Sequence, residues 1–198
     1  MIRWAKTGRR RLQRFSVIRV IAIVGPGALA LGILPAGTAA ADSVDGCEIR
    51  WEDETSWDTE RQAAQWAWEG LKGGDNCVDL EPDAWNTNAD LEWMDTNRSD
   101  VTWVGQYQPE SGADNIMMNA FYLQTYGACM RKMVAMHELG HAHGLGHNST
   151  SSTGNLMNTY VIDVCSPKAQ DIADYEALWG SSYVGPTPTT TCPRCQEP

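Results

Sequence analysis

Basic residues are scarce over most of this chain. Seven of its 15 Lys and Arg (Arg3, Lys6, Arg9, Arg10, Arg11, Arg14 and Arg19) fall in the first 41 residues, which contain no Asp or Glu. The rest of the 198 residues carry all 25 acidic groups against eight basic ones, a net of −17. A body of that sign has no cationic stripe to neutralise phosphates, which excludes a nucleic-acid partner and works against an anionic membrane surface. Long apolar runs are also missing. The longest, Val20 to Leu34, is interrupted by Gly25-Pro26 and is too short to cross roughly 30 Å of hydrocarbon comfortably. Histidine is rarer still: four residues, all between positions 137 and 147. Against these absences stand eight Trp after residue 41, too much apolar surface for a solvated coil, so the acidic body is expected to fold.

The first 41 residues read as an export leader. A basic segment ending at Arg19 precedes the apolar run, and Ala36-Gly37-Thr38-Ala39-Ala40-Ala41 closes it with the small-x-small pattern of a signal peptidase site. Cleavage after Ala41 is expected, with a secreted product that has no stable membrane insertion. All six cysteines (Cys47, Cys77, Cys129, Cys165, Cys192 and Cys195) then lie in the exported part, and an even number there argues for disulfides. Six cysteines allow 15 pairings. The arrangement expected here is Cys47–Cys77, Cys129–Cys165 and Cys192–Cys195, in which each pair flanks one segment.

Along the mature chain the patterns alternate between strand and helix. Glu48 to Glu52 alternates as a half-buried strand does, and Asp58 is the expected N-cap of a helix over Thr59 to Leu71. Ala89–Met94 and Val101–Tyr107 read as strands around the polar turn Asp95–Asp100, and Ile116–Leu123 as a further short strand. A helix is expected over Met130 to Gly144. A last one opens at Ser166-Pro167, with Ser as N-cap, and runs to Trp179 before Gly180. From Gly185 the Pro/Thr-rich tail has no core of its own. The expected division is a leader (1–41), one α+β domain (42–184) and a tail (185–198).

The chemistry is concentrated in His137-Glu138-Leu139-Gly140-His141-Ala142-His143-Gly144-Leu145-Gly146-His147. His137 and His141 are one helical turn apart, so their imidazoles leave the same face toward one point. Glu138 sits beside the first, where a carboxylate can reach a metal-bound water without being a ligand. Gly144 permits a left-handed turn that ends the helix and doubles the chain back, so that His147 completes an open-sided three-histidine zinc site. His143 lies about 200° around the helix from His141, which makes it a surface residue or one behind the ligands rather than a ligand itself. Ten residues after His147, Met157 stands in Gly154-Asn155-Leu156-Met157-Asn158, where a turn can lay an apolar floor beneath the imidazoles.

These residues resemble the metzincin signature of zinc metalloproteases, HExxHxxGxxH with a downstream methionine turn. The likeness is closest to the matrixin branch, through His147, Leu156-Met157, and the stretch Ser166-Pro167-Lys168-Ala169-Gln170-Asp171-Ile172 to Leu178-Trp179-Gly180. The resemblance implies a metzincin-like single domain: a twisted mixed sheet, an active-site helix, the methionine turn and a C-terminal helix. It also implies one catalytic zinc on His137, His141 and His147, with Glu138 as general base, Met157 beneath the site and a protein or peptide as substrate. Calcium is an expectation of the same kind. Asp95 to Asp100 offers carboxylates but lacks the glycine and distal glutamate of a calcium hand, and reads better as a solvated turn.

The chain departs from the matrixin pattern in three respects. There is no histidine outside 137–147 to hold a second, structural zinc. The few residues between Ala41 and the first strand leave no room for a capping propeptide. Asn158-Thr159-Tyr160 lacks the proline that precedes the pocket-lining tyrosine, although Tyr160 itself is a candidate for the substrate pocket or for an oxyanion contact. The expected activity is hydrolysis of peptide bonds by a secreted monomer. Other readings are a zinc hydrolase with Glu176 as third ligand, a zinc-binding but catalytically idle cell-surface module, and a metal-free structural protein.

Overall fold

The computed structural model describes residues 43–71, 78–148 and 154–180; the leader, Cys77, Cys192, Cys195 and the tail lie outside these residues. Five strands form one sheet: β1 (Glu48–Glu54), β2 (Asp79–Pro82), β3 (Leu91–Thr96), β4 (Gly105–Gln108) and β5 (Asp114–Asn119). Their order is β2-β1-β3-β5-β4, with all neighbours parallel except the antiparallel β4–β5 pair. The helices are α1 (Asp58–Glu69), α2 (Ala120–Leu123), α3 (Ala128–Ala142) and α4 (Ala169–Trp179). The sheet is mixed, as the resemblance implies, and the class is the α+β that the sequence pattern implies. Among the described residues no helix is long and apolar enough to cross a membrane.

Alternation along the strands puts Ile49, Leu80, Leu91, Trp93, Ile116 and Met118 on one face, all buried. That face is the floor of the core, and α1 and α3 pack together above it. Between the two helices, Arg131 of α3 reaches the buried Glu60 of α1 at 2.7 Å. Trp68 of α1 is fully buried and donates its indole N–H to the Met136 carbonyl of α3 at 2.9 Å. Burying a side chain of this size costs little only when its single polar atom finds an acceptor, and here the acceptor lies on α3.

Several boundaries differ from the sequence expectation, each for a local reason. The N-cap of α1 is Trp57 rather than Asp58, with no side-chain cap, and Asp58 is its first helical residue. The stretch from Val101 is not strand until Gly105, because Asn119 Nδ2 holds the Arg98 and Trp103 carbonyls in a loop. The expected strand Ile116–Leu123 stops at Asn119, whose side-chain oxygen accepts the Phe121 N–H and starts α2. Strand β2 was unannounced: Leu80 is its one buried residue, and its terminal Pro82 is tolerated because β2 is an edge strand. The last helix begins at Ala169, not at Pro167, since Asp171 Oδ2 accepts the Lys168 N–H at 2.7 Å and makes Lys168 the N-cap.

The Cys129–Cys165 disulfide forms as expected, with a Cα–Cα distance of 5.5 Å across 36 residues. It ties the first turn of α3 to the approach to α4 and so encloses the methionine segment. In the chain-entropy view a loop of that length is stabilised by about 4 kcal/mol. Cys47 is also disulfide-bonded.

Candidate metal centre

Helix α3 ends in a motif that the glycine makes possible. Gly144 adopts φ +84°; its N–H donates to the His141 carbonyl at 2.8 Å and the Leu145 N–H donates to the Gly140 carbonyl at 3.0 Å. This is the paired Schellman closure, and a side chain at position 144 would be strained in that backbone conformation. The reversal brings His147 back to the two helical histidines. The Nε2 atoms of His137 and His141 lie 3.0 Å apart, and those of His137 and His147 3.1 Å apart.

The opposite ring nitrogens decide what those atoms can do. His137 Nδ1 lies 2.8 Å from the Leu156 carbonyl and His141 Nδ1 2.7 Å from the Leu145 carbonyl. A carbonyl can only accept, so each Nδ1 carries the proton and each Nε2 presents a lone pair. Burial disfavours further protonation. It holds His137 well below the ordinary imidazole range, with His141 and His147 adding repulsion, and it pushes His141 down to about 3; His147, half-buried, is lowered by the same cause. Lone pairs crowded at 3 Å repel one another unless a cation sits among them. The donor set fits a metal that takes neutral imidazole nitrogen.

Glu138 is fully buried beside this point. Its Oε2 accepts the Tyr107 backbone N–H of β4 at 2.8 Å, and its Oε1 has no hydrogen-bond partner among the described residues. Burial raises its carboxyl to about 8 against the opposing pull of that N–H. A cation nearby reverses the balance, because it favours the charged form. Strand β4 passes very close: a Cβ on Gly105 would lie 2.5 Å from Val134 of α3 and 3.0 Å from the Glu138 side chain.

Met157 is wholly buried, and its carbonyl accepts the N–H of Asn148, the residue after His147, at 2.9 Å. Met157 Sδ lies against Gly140, between the two helical histidines. The segment around Met157 is thus a turn packed against α3 beside the histidines. Tyr160 lies on the segment leaving that turn, 42% exposed, with its N–H on Asn158 Oδ1. Glu176 lies on α4 and does not belong to the histidine grouping.

Of the two places expected for His143, the surface and the layer behind the other histidines, it takes the second. It is fully buried, with Nδ1 on the Leu139 carbonyl at 2.8 Å and its ring 5.5 Å from both Trp68 and Tyr175. Burial pushes it down to about 4. In the polar turn, Asp95 accepts from Thr55 and Ser56 while Asp100 pairs with Arg98, so both carboxylates have partners within the chain. Sequence reasoning missed Tyr107 and Asp171. The first is found only through sheet register. The second sits in the α4 entry, where a carboxylate three residues into a helix is a readable capping signal.

The matrixin family profile matches residues 29–180. Among solved structures, one similar chain is the high choriolytic enzyme 1, a hatching-enzyme zinc protease from the medaka fish Oryzias latipes. The identity is 11% and the TM-score 0.47, over 74% of this chain and 98% of that one. No curated protein sequence matches this chain. The family match spans the sheet, the three-histidine helix and turn, the methionine segment and α4, and with it the chain belongs to the matrixins, metalloproteases of the metzincin group.

Proposed function

We propose that the chain is an exported zinc-dependent endopeptidase in which His137, His141 and His147 hold the metal and Glu138 is the general base. The observation that carries this reading is the convergence of three imidazole nitrogens, all within 4.8 Å, beside a buried carboxylate with one oxygen unpartnered among the described residues. When bound, zinc on neutral imidazoles supplies a Lewis acid and a water of lowered pKa.

The chain's own residues account for the rest. The Nδ1 bonds to Leu156 and Leu145 fix the tautomers and ring planes of His137 and His141. Tyr107 N–H holds Glu138 Oε2, which leaves Oε1 to take the proton of the attacking water and return it to the departing amine. Because the carboxylate is buried, its proton affinity without a cation is high; a bound cation would lower it toward the range of a usable base. Export rests on the leader, Arg3 to Ala41, and on the disulfides it accompanies.

Glu138→Gln tests the assignment. It removes the base but no ligand, so the purified mature chain should keep about one zinc while hydrolysis of unfolded casein drops by at least about 100-fold. Hydrolysis at the parental rate would place the base elsewhere. A parent that holds zinc yet cleaves nothing would instead favour a metal-bearing binding module.

A further inference from the structure

Asp171 of α4 is fully buried, and four donors converge on its carboxylate. Oδ1 accepts the Met157 N–H at 2.9 Å and Asn148 Nδ2 at 2.9 Å; Oδ2 accepts the Leu156 and Lys168 N–H groups, each at 2.7 Å. Lys168 turns its ammonium away, to Ser166 Oγ at 3.1 Å. The carboxylate is thus held by N–H groups alone, as a buried acceptor must be when no cation pairs with it.

One of those bonds leads to the metal centre. The peptide unit between Leu156 and Met157 is engaged at both ends: its N–H donates to Asp171 Oδ1, and its C=O accepts from His137 Nδ1. A charge-assisted bond to the N–H polarises the peptide and makes its carbonyl oxygen a stronger acceptor. That in turn draws the Nδ1 proton and enriches Nε2. His141 offers the internal contrast. Its Nδ1–H meets the Leu145 carbonyl, and among the described residues no carboxylate accepts from the N–H of that peptide unit, at Gly146.

We infer that Asp171 is a positioning residue for His137, acting through the Leu156–Met157 peptide to fix the imidazole and raise its strength as a metal ligand. This is a carboxylate–histidine arrangement with one peptide group interposed. It rests on the zinc reading above. It also separates two neighbouring acidic residues, because Asp174 touches Asn148 Nδ2 and Gln170 Nε2 but no part of the relay.

The test compares the parent chain, Asp171→Asn and Asp174→Asn by zinc competition against a chelator of known affinity. It adds the NMR resonances of the two imidazole Nδ1–H protons in the zinc-loaded proteins. Asp171→Asn should weaken zinc by about 10–100-fold and move the His137 Nδ1–H signal upfield while leaving that of His141 in place. Asp174→Asn should change neither. A folded Asp171→Asn with parental zinc affinity, or with both imidazole signals shifted equally, overturns the relay and leaves Asp171 as a bracket for the turn. Should Asp171→Asn fail to fold, the parent decides: a His137 Nδ1–H downfield of that of His141 supports the relay, and the reverse order overturns it. A parent that binds no zinc fails at an earlier step, refuting the functional reading and the relay together.

Discussion

Adding one methyl group at Gly140 tests the packing that joins α3 to the Met157 turn. A Cβ there would lie 2.5 Å from Met157 Sδ, 2.9 Å from Trp68 Cζ2 and 3.1 Å from Met157 Cε. Ordinary non-bonded contacts sit at about 3.5–4.0 Å, so the neighbours would have to retreat by about 1 Å. Met157 could change rotamer in an open site, but it is fully buried. Trp68 is pinned by its bond to Met136 and stacks on Tyr175 at 5.8 Å. Overpacking of this kind costs about 1–3 kcal/mol, and removing a glycine from a helix interior returns about 1 kcal/mol. With both neighbours immobile the clash lies at the upper end, so Gly140→Ala should lose about 2 kcal/mol, a Tm lower by roughly 5 °C for a domain of this size. Zinc affinity should fall with it, since displacing Met157 drags the Leu156 carbonyl from His137. Gly146→Ala is the control, because among the described residues nothing lies within 4 Å of its Cβ, and no left-handed backbone is involved. Thermal melts with and without zinc make the comparison. A Gly140→Ala protein that melts with or above its parent would refute the close approach of helix and turn.

Three further outcomes are expected. His147→Ala should abolish most zinc binding in a chelator titration while Glu176→Ala retains it; the reverse result would move the third ligand onto α4. Without zinc, His141 sits at about 3 instead of 6.5, a contribution of about 5 kcal/mol that is present above pH 6.5 and lost as pH falls toward 3. Glu138, raised from 4.5 to about 8, acts in the opposite sense: its contribution is complete below pH 4.5 and lost as pH rises through 8. Between pH 4.5 and 6.5 these two nearly cancel, but His137, His143 and His147 are lowered in the same sense as His141, so urea unfolding of the chelator-treated protein should show maximal stability near pH 6.5; a steady rise from pH 5 to 8 would contradict these assignments. For Tyr160, a donor role predicts that Tyr160→Phe lowers kcat with KM nearly unchanged, whereas a pocket-wall role predicts that Phe is tolerated and Tyr160→Ala alters side-chain preference on a peptide library. No change in either variant makes the residue structural.

The residues that were legible in sequence are those whose chemistry depends on spacing along one element. His137 and His141 share a helical face because of a four-residue interval, and Gly144 dictates a reversal that any chain with that φ would make. Their convergence with His147, the Met157 turn and the Cys129–Cys165 link all lie within 37 residues, where local geometry restricts the outcome. Tertiary structure decided what surrounds them. Tyr107 meets Glu138 only because β4 pairs antiparallel with β5 and crosses α3 at a glycine, a register that no local pattern encodes. Likewise the helical angle of His143 leaves it either at the surface or behind the other histidines, and only the fold decides, because that side of α3 is covered by Trp68 and Tyr175 from two distant helices. An amphipathic pattern assumes one buried face, and α3 is buried throughout its last ten residues. Asp171 belongs to the same class: its capping signal marks a helix start, but only folding brings the Leu156–Met157 peptide to its carboxylate. Spacing within an element is fixed by backbone geometry, so the histidine cluster is legible in the sequence, whereas the groups that surround it come from packing between elements far apart in the chain.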